Sequence, residues 1–132
     1  MTNVSCVFVL DDDFSARKGI ARLIRTANYD VRDFDSIEKA LNALASEVPS
    51  CVVLDADLPD QLCEELRVEL KTRGILLPII AITANDDPET RRRAQKMNAV
   101  GFFRKPVDGT ALLDAVEWSI RSNSTVTNPR KM

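Results

Sequence analysis

The chain contains no histidine in its 132 residues. That absence removes imidazole general bases, serine–histidine and cysteine–histidine nucleophilic pairs, and histidine-ligated metals together. Cysteine is scarce as well. Cys6, Cys51 and Cys63 form no CxxC pair, and the first two sit in apolar runs where thiols behave as small hydrophobes, so buried, reduced thiols are expected. No apolar run approaches the roughly 20 residues of a membrane span, and no basic segment leads into such a run at the start of the chain. A cytoplasmic location without membrane contact is therefore expected. A net charge of −2 gives the domain no general attraction for nucleic acid, so direct nucleic-acid binding is not expected either. Any chemistry here has to run on carboxylates, hydroxyls and lysines.

What is present is 45% hydrophobic and 29% charged, the balance of one ordinary globular domain with a real core. Its organising stretch is Cys51, Val52, Val53, Leu54, Asp55, Ala56, Asp57, Leu58, Pro59. An apolar run without polar alternation suits a strand covered on both faces, as in a parallel sheet, and Pro59 blocks an immediate continuation of regular structure. Read alone, Asp55 also fits a helix-capping aspartate. The rest of the chain argues for more.

Residues 7–10 form an apolar run ending in Asp11, Asp12 and Asp13, after which Ala16, Ile20, Leu23, Ile24 and Ala27 recur at helical spacing. Asp13 reads as the acid of that helix's first turn. Asn28 can end the helix in a left-handed conformation, and residues 29–34 form a more polar strand, as at a sheet edge. Ser36 caps a second helix with Ile37, Ala40, Leu41, Leu44 and Ala45 on its apolar face. A third helix carries Leu62, Leu66 and Leu70 and stops at Gly74. Residues 77–82 then form a strand that ends in the hydroxyl of Thr83. Asp87 and Pro88 open a fourth helix, with Ala94 and Met97 inward, Asn98 at its end, and Arg91, Arg92, Arg93 and Lys96 as a solvated face. Residues 100–103 form a last strand running into Arg104, Lys105 and Pro106. Asp108 opens a final helix with Leu112, Leu113, Val116 and Ile120 inward and Ala111, Ala115, Trp118 and Ser122 on the opposite side. Residues 1–121 form the domain, and residues 122–132, rich in Ser, Thr and Asn, are expected to be a flexible tail or linker stub.

Repeated strand–helix units imply a doubly wound parallel sheet, in which ligands bind at the carboxyl ends of the strands. Asp11, Asp12, Asp55, Thr83 and Lys105 all fall at that edge. Clustered carboxylates raise one another's pKa unless a cation compensates, and Lys105 alone is too little. Oxygen ligands without His or Cys point to a hard ion, and few carboxylates with room for water favour Mg²⁺. Such an ion would prepare the pocket for phosphate, with Lys105 and the Thr83 hydroxyl on the phosphoryl oxygens and Asp55 left as nucleophile.

In order along the chain, Asp11-Asp12, Asp55 with Pro59 four residues on, Thr83-Ala84, and Lys105-Pro106 with Phe102 three residues before the lysine resemble the receiver domain of bacterial two-component response regulators, the CheY-like type. The resemblance covers roughly residues 5–121. It implies a flavodoxin-like (βα)5 fold with strand order 2-1-3-4-5, a known order for that class. It further implies that Asp55 is the phosphoacceptor, that Asp12 and Asp55 ligate Mg²⁺ directly and Asp11 through water, and that the Asp57 backbone carbonyl completes the set. Thr83 and Lys105 would hold the phosphoryl group, Phe102 would follow Thr83 as the switch, and the Lys105–Pro106 bond would be cis. The donor would be a sensor histidine kinase or a phosphotransfer protein. Output would pass through self-association or an effector on the face of helix 4, strand 5 and helix 5, including Trp118. Such a domain signals and is not an enzyme.

The sequence departs from the family at three positions. Cys63 replaces a usual glycine eight residues after the acceptor, where a left-handed loop would suit cysteine poorly. Asn98 stands where glycine often ends the fourth helix. Asp57 adds a carboxylate two residues beyond the acceptor, where the family tunes acyl-phosphate hydrolysis. Two alternatives stand beside this reading. One is a haloacid-dehalogenase-like Mg²⁺-dependent phosphohydrolase, suggested by Asp55-Ala56-Asp57, although that family places this motif on its first strand. The other is a degenerate receiver serving only as a binding module.

Overall fold

A computed structural model describes residues 5–127. Ten elements alternate along the chain: β1 (Cys6–Leu10), α1 (Phe14–Arg25), β2 (Asp30–Phe34), α2 (Ile37–Ala43), β3 (Cys51–Asp55), α3 (Asp60–Thr72), β4 (Ile79–Thr83), α4 (Pro88–Lys96), β5 (Gly101–Arg104) and α5 (Gly109–Thr127). All neighbouring strands pair in parallel, in the order β2-β1-β3-β4-β5. This is the doubly wound α/β arrangement that the repeated units imply.

The uninterrupted apolar strands are explained by helices on both faces. Along β1, Cys6, Phe8 and Leu10 face α2 and α3, where Ile37, Leu41, Leu66 and Leu70 pack, while Val7 and Val9 face α1 and α5 with Ile20, Ile24, Leu112 and Val116. β3 divides the same way, Val52 and Leu54 to one side and Cys51 and Val53 to the other. Every residue of β1, β3 and β4 is buried, whereas the edge strand β2 alternates with exposed Asp30 and Arg32. Full burial of each aliphatic side chain contributes about 1.5–3 kcal/mol, so this two-sided core is the main source of stability.

Helix ends follow local chemistry. The side chains of Asp13, Ser36 and Asp87 accept from the backbone amides of Ala16, Lys39 and Thr90, which satisfies amides that a helix start leaves open. Asp13 is thus the N-cap of α1 and precedes its first turn. Asn28, Gly74 and Asn98, each expected to end a helix, lie at φ of 71°, 69° and 57°, the left-handed region expected for Asn28 and adopted by all three. The Lys105–Pro106 peptide is cis.

Further details differ from the sequence-based expectations, among them Ala115, which packs against the core and not on the outer side of α5. Cys63 lies inside α3, buried and without positive φ, so glycine's conformational freedom is not needed there. Ala27 and Ala45 lie outside the helices and are exposed, because α1 and α2 stop before them. α5 continues past residue 121 to Thr127, since no helix breaker occurs between Gly109 and Pro129. The rest of the expected tail, residues 128–132, lies outside the described residues. All three cysteines are buried and unpaired, and burial pushes the Cys6 thiol up to about 12 and those of Cys51 and Cys63 to about 11. No described helix is long and apolar enough to cross a membrane.

Candidate functional site

Sheet register brings the polar residues together. Leu10 pairs with Leu54, which puts Asp11 level with Asp55 one step further along both strands. Asp55 pairs with Ile82 and Thr83 with Arg104, so Thr83 and Lys105 follow in succession across β4 and β5. Backbone hydrogen bonds fasten these exits: Asp11 N to Phe34 O at 3.2 Å, Ala56 N to Ile82 O at 2.7 Å, and Lys105 N to Thr83 O at 2.7 Å. Four loops distant in sequence therefore meet at one edge.

Carboxylate oxygens of Asp11, Asp12 and Asp55 lie within 4.8 Å of one another. Asp11 is 1% exposed, Asp55 3% and Asp12 lies in the exposed range, so the cluster has a buried floor and an open mouth. Asp11 Oδ1 accepts from the Asp13 amide at 3.0 Å, and Asp55 Oδ1 from the Asp57 amide at 2.9 Å. Lys105 Nζ lies 2.9 Å from Asp11 Oδ2 and 3.8 Å from Asp55 Oδ2. The contact with Asp11 Oδ2 is an ion pair outside hydrogen-bond alignment, and this oxygen is otherwise unsatisfied in the protein. Three carboxylates within reach of one another, two of them buried and with a single lysine against them, fit a hard cation with oxygen ligands.

The charges agree with that fit. Burial pushes the Asp55 carboxyl up to about 7, and the charge of Asp11 pushes in the same direction, against the Asp57 amide bond and Lys105. Burial opposes the charge of Lys105, but its contact with Asp11 and the charges of Asp55 and Asp11 hold the ammonium above its ordinary range. One lysine does not neutralise this pocket.

Thr83, fully buried, ends β4 beside the cluster. Its hydroxyl lies 2.6 Å from Asp57 Oδ1 and 2.7 Å from the Asn85 carbonyl, and accepts from the Asn85 amide at 2.8 Å. The Ala84 amide donates to Asp57 Oδ2 at 2.6 Å. Phe102 on β5 is half-buried against Ala56, Ala81 and Ala94, and the Arg91 guanidinium sits 5.0 Å above its ring. Trp118 on α5 is 55% exposed.

Two arginines are bound into this region, Arg17, to which the sequence assigns no role, and Arg93, expected on a solvated face. Arg17 is buried, donating to the Asp11 carbonyl at 3.1 Å and to Asp33 at 2.8 Å, which ties α1 and β2 to the acidic loop. Burial alone would raise the Asp33 carboxyl, but hydrogen bonds from Lys18 and Arg17 outweigh it and hold Asp33 below its ordinary value. Arg93, expected on the solvated face of α4, instead donates to Asp60 at 2.8 Å and to the Ala56 carbonyl at 2.5 Å, tethering α4 to the loop after Asp55. Their partners lie 16 and 37 residues away respectively, beyond any local pattern.

An open parallel sheet with acids, a hydroxyl and a lysine gathered on its carboxyl edge has the architecture of CheY-like domains. A solved CheY-like receiver domain from Methanospirillum hungatei matches the fold with a TM-score of 0.81 at 19% identity, over 93% of this chain and 98% of that one. The chain belongs to the response regulator receiver domain family, whose model matches residues 7–117. It is 37% identical over 121 residues to the transcriptional regulatory protein TdiR of Thauera aromatica, covering 92% of this chain and 53% of the relative. It is also 39% identical over 110 residues to nodulation protein W of Bradyrhizobium diazoefficiens, covering 83% and 48%. A solved receiver protein from Burkholderia phymatum matches at a TM-score of 0.77 with 31% identity, over 89% and 95% of the two chains. The chain spans about half the length of the curated relatives it matches. The family is one of two-component signal transduction.

Proposed function

We propose that this domain takes a phosphoryl group from a sensor histidine kinase or phosphotransfer protein onto Asp55, and that the modified state alters a partner-binding face. The observation that carries this reading is the meeting of Asp55 with Asp11, Asp12, Thr83 and Lys105 at one strand edge. Mg²⁺ is the ion that suits the pocket; Asp11, Asp12, Asp55 and the Asp57 backbone carbonyl would hold it, and it would supply charge neutralisation for the incoming phosphoryl group. Asp55 Oδ1 is engaged by the Asp57 amide, so Oδ2, facing Lys105, is the attacking oxygen. An O–P bond forms as the donor's N–P bond breaks, and the imidazole leaves with the N–P electron pair. Lys105 pairs with the transferred oxygens, and the Thr83 hydroxyl donates to them.

A domain used only for binding has no need of three clustered carboxylates with a lysine and a strand-end hydroxyl beside them, so the complete pocket favours phosphoryl acceptance. The engagement of the Asp57 carboxylate by Thr83 and Ala84 disfavours the hydrolase alternative, which requires that group as a free general acid. Movement of Thr83 would let Phe102 turn, with the face of α4, β5 and α5 around Trp118 as output to a second copy or an effector. We infer a cytoplasmic signalling role for residues 1–121 without catalytic turnover, with residues 122–132 as a tail or linker stub. The test is intact mass after incubation with a small acyl phosphate. A gain of one phosphoryl group that needs Mg²⁺ and is lost in Asp55→Asn supports the reading; an equal gain in the variant contradicts it.

A further inference from the structure

The pocket holds more carboxylates than an acceptor with its ion needs, and Asp57 is the one whose side chain lies on the donors of β4 instead of in the acidic cluster. Its two oxygens take the Thr83 hydroxyl at 2.6 Å and the Ala84 amide at 2.6 Å. A threonine hydroxyl has a single proton. Asn85 O at 2.7 Å competes for it, but an ionised acceptor makes the stronger bond, so the proton belongs to Asp57. The Asn85 amide, donating at 2.8 Å, fills an acceptor position of the same hydroxyl.

A phosphoryl group on Asp55 carries about −1.5 to −2 charge on three acceptor oxygens. Besides Lys105 and the Asp57 amide, which already donates to Asp55 Oδ1, the strand register sets this hydroxyl and this amide at the neighbouring strand end, and both are taken by an anion two residues along the chain. Resting on the phosphoacceptor reading, we propose that the Asp57 carboxylate is a built-in competitor of the phosphoryl group, occupying Thr83 Oγ1 and the Ala84 amide in the unmodified chain and keeping Thr83 in place until it is displaced. A receiver so arranged is harder to switch on. Its apparent affinity for a phosphoryl group is reduced by the fraction of molecules in which Asp57 has released these donors. Removing the competitor raises that fraction.

The test uses trifluoroberyllate with Mg²⁺ as a stable phosphoryl mimic, and isothermal titration as the readout, so that no turnover is involved. Asp57→Ala is expected to bind the mimic on the order of tenfold more tightly than the wild-type chain, the size set by losing charge-assisted hydrogen bonds. Asp57→Asn, which keeps an acceptor oxygen but loses the charge, falls between them. The gain has to pass through Thr83: in a Thr83→Ala background, Asp57→Ala gives a clearly smaller improvement, the non-additivity of directly interacting groups. In the free chain, the Ala84 amide proton moves upfield in Asp57→Asn as its bond to a carboxylate is lost. Equal affinities in wild type, Asp57→Asn and Asp57→Ala overturn the proposal while leaving Asp55 as acceptor. An Asp57→Ala gain of the same size with and without the Thr83 hydroxyl overturns it too, since charge alone then accounts for the effect. Failure of both the wild-type chain and Asp57→Ala to bind the mimic rejects the phosphoacceptor reading itself.

Discussion

Replacing Asp55 with asparagine is expected to make the protein more stable near neutral pH in the absence of divalent ions, and the reason lies in the proton balance of the buried pocket. The folded carboxyl titrates at about 7 against an ordinary value of 3.8. Between those values the folded chain keeps a proton that the unfolded chain has released. Stability therefore falls as pH rises through this window, levels off above it, and is unaffected by this group below it. At about 1.4 kcal/mol per pH unit the whole window corresponds to at most ~4 kcal/mol, which solvent at the mouth and the shared titration with Asp11 reduce to about 2 kcal/mol. Other acids such as Asp33, whose carboxyl is held low, give slopes of the opposite sign, so the informative quantity is the difference between wild type and variant. Urea unfolding at pH 4.5, 6 and 7.5 in EDTA provides it. The advantage of Asp55→Asn should grow from near zero to about 2 kcal/mol across the series. Mg²⁺ at a hundredfold excess over its dissociation constant should restore ~2.7 kcal/mol to the wild type and clearly less to the variant. A difference that stays flat with pH, or a wild type that is the more stable at pH 7.5 without Mg²⁺, would refute the account of a charge-crowded pocket.

Arg17→Ala should cost about 1–3 kcal/mol in urea unfolding, because it removes the buried donor of the Asp11 carbonyl and leaves Asp33 to Lys18, whereas Lys18→Ala, at an exposed partner of Asp33, should cost under about 1 kcal/mol. Equal costs would mean that Arg17 does not brace the acidic loop. Asn98→Ala should lose about 1 kcal/mol by thermal or urea unfolding, since φ is 57° there, and Asn98→Gly should lose little or nothing. Phosphorylation, or trifluoroberyllate with Mg²⁺, should change iodide quenching of Trp118 or the sedimentation of the chain, and Thr83→Ala should blunt that response while still accepting phosphate. Identical quenching and sedimentation in both states would remove the α4, β5 and α5 face as the output.

Much of the fold was legible because its signals are local. Apolar runs in β1, β3 and β4, caps at Ser36 and Asp87, and left-handed ends at Asn28 and Asn98 each depend on a few neighbouring residues. The site was legible for a different reason, that parallel topology delivers every strand's carboxyl end to one edge, so Asp11, Asp55, Thr83 and Lys105 could be assembled without coordinates. Arg17 and Arg93 were not, since charged residues on helical faces are usually solvated and only distant partners bury these two. The same holds for Asp57. Its place two residues after Asp55 was plain, but its grip on Thr83 and Ala84 depends on how β3 and β4 pair.

Reductive trapping tests the central claim most directly. Borohydride converts an acyl phosphate on aspartate to homoserine, so the chain is incubated with a small acyl phosphate and Mg²⁺, reduced, digested and sequenced by mass spectrometry. The account predicts homoserine at position 55, none at positions 11, 12 or 57, and none anywhere when Mg²⁺ is chelated. Homoserine at another aspartate, or none at all despite a phosphoryl gain in intact mass, would contradict it.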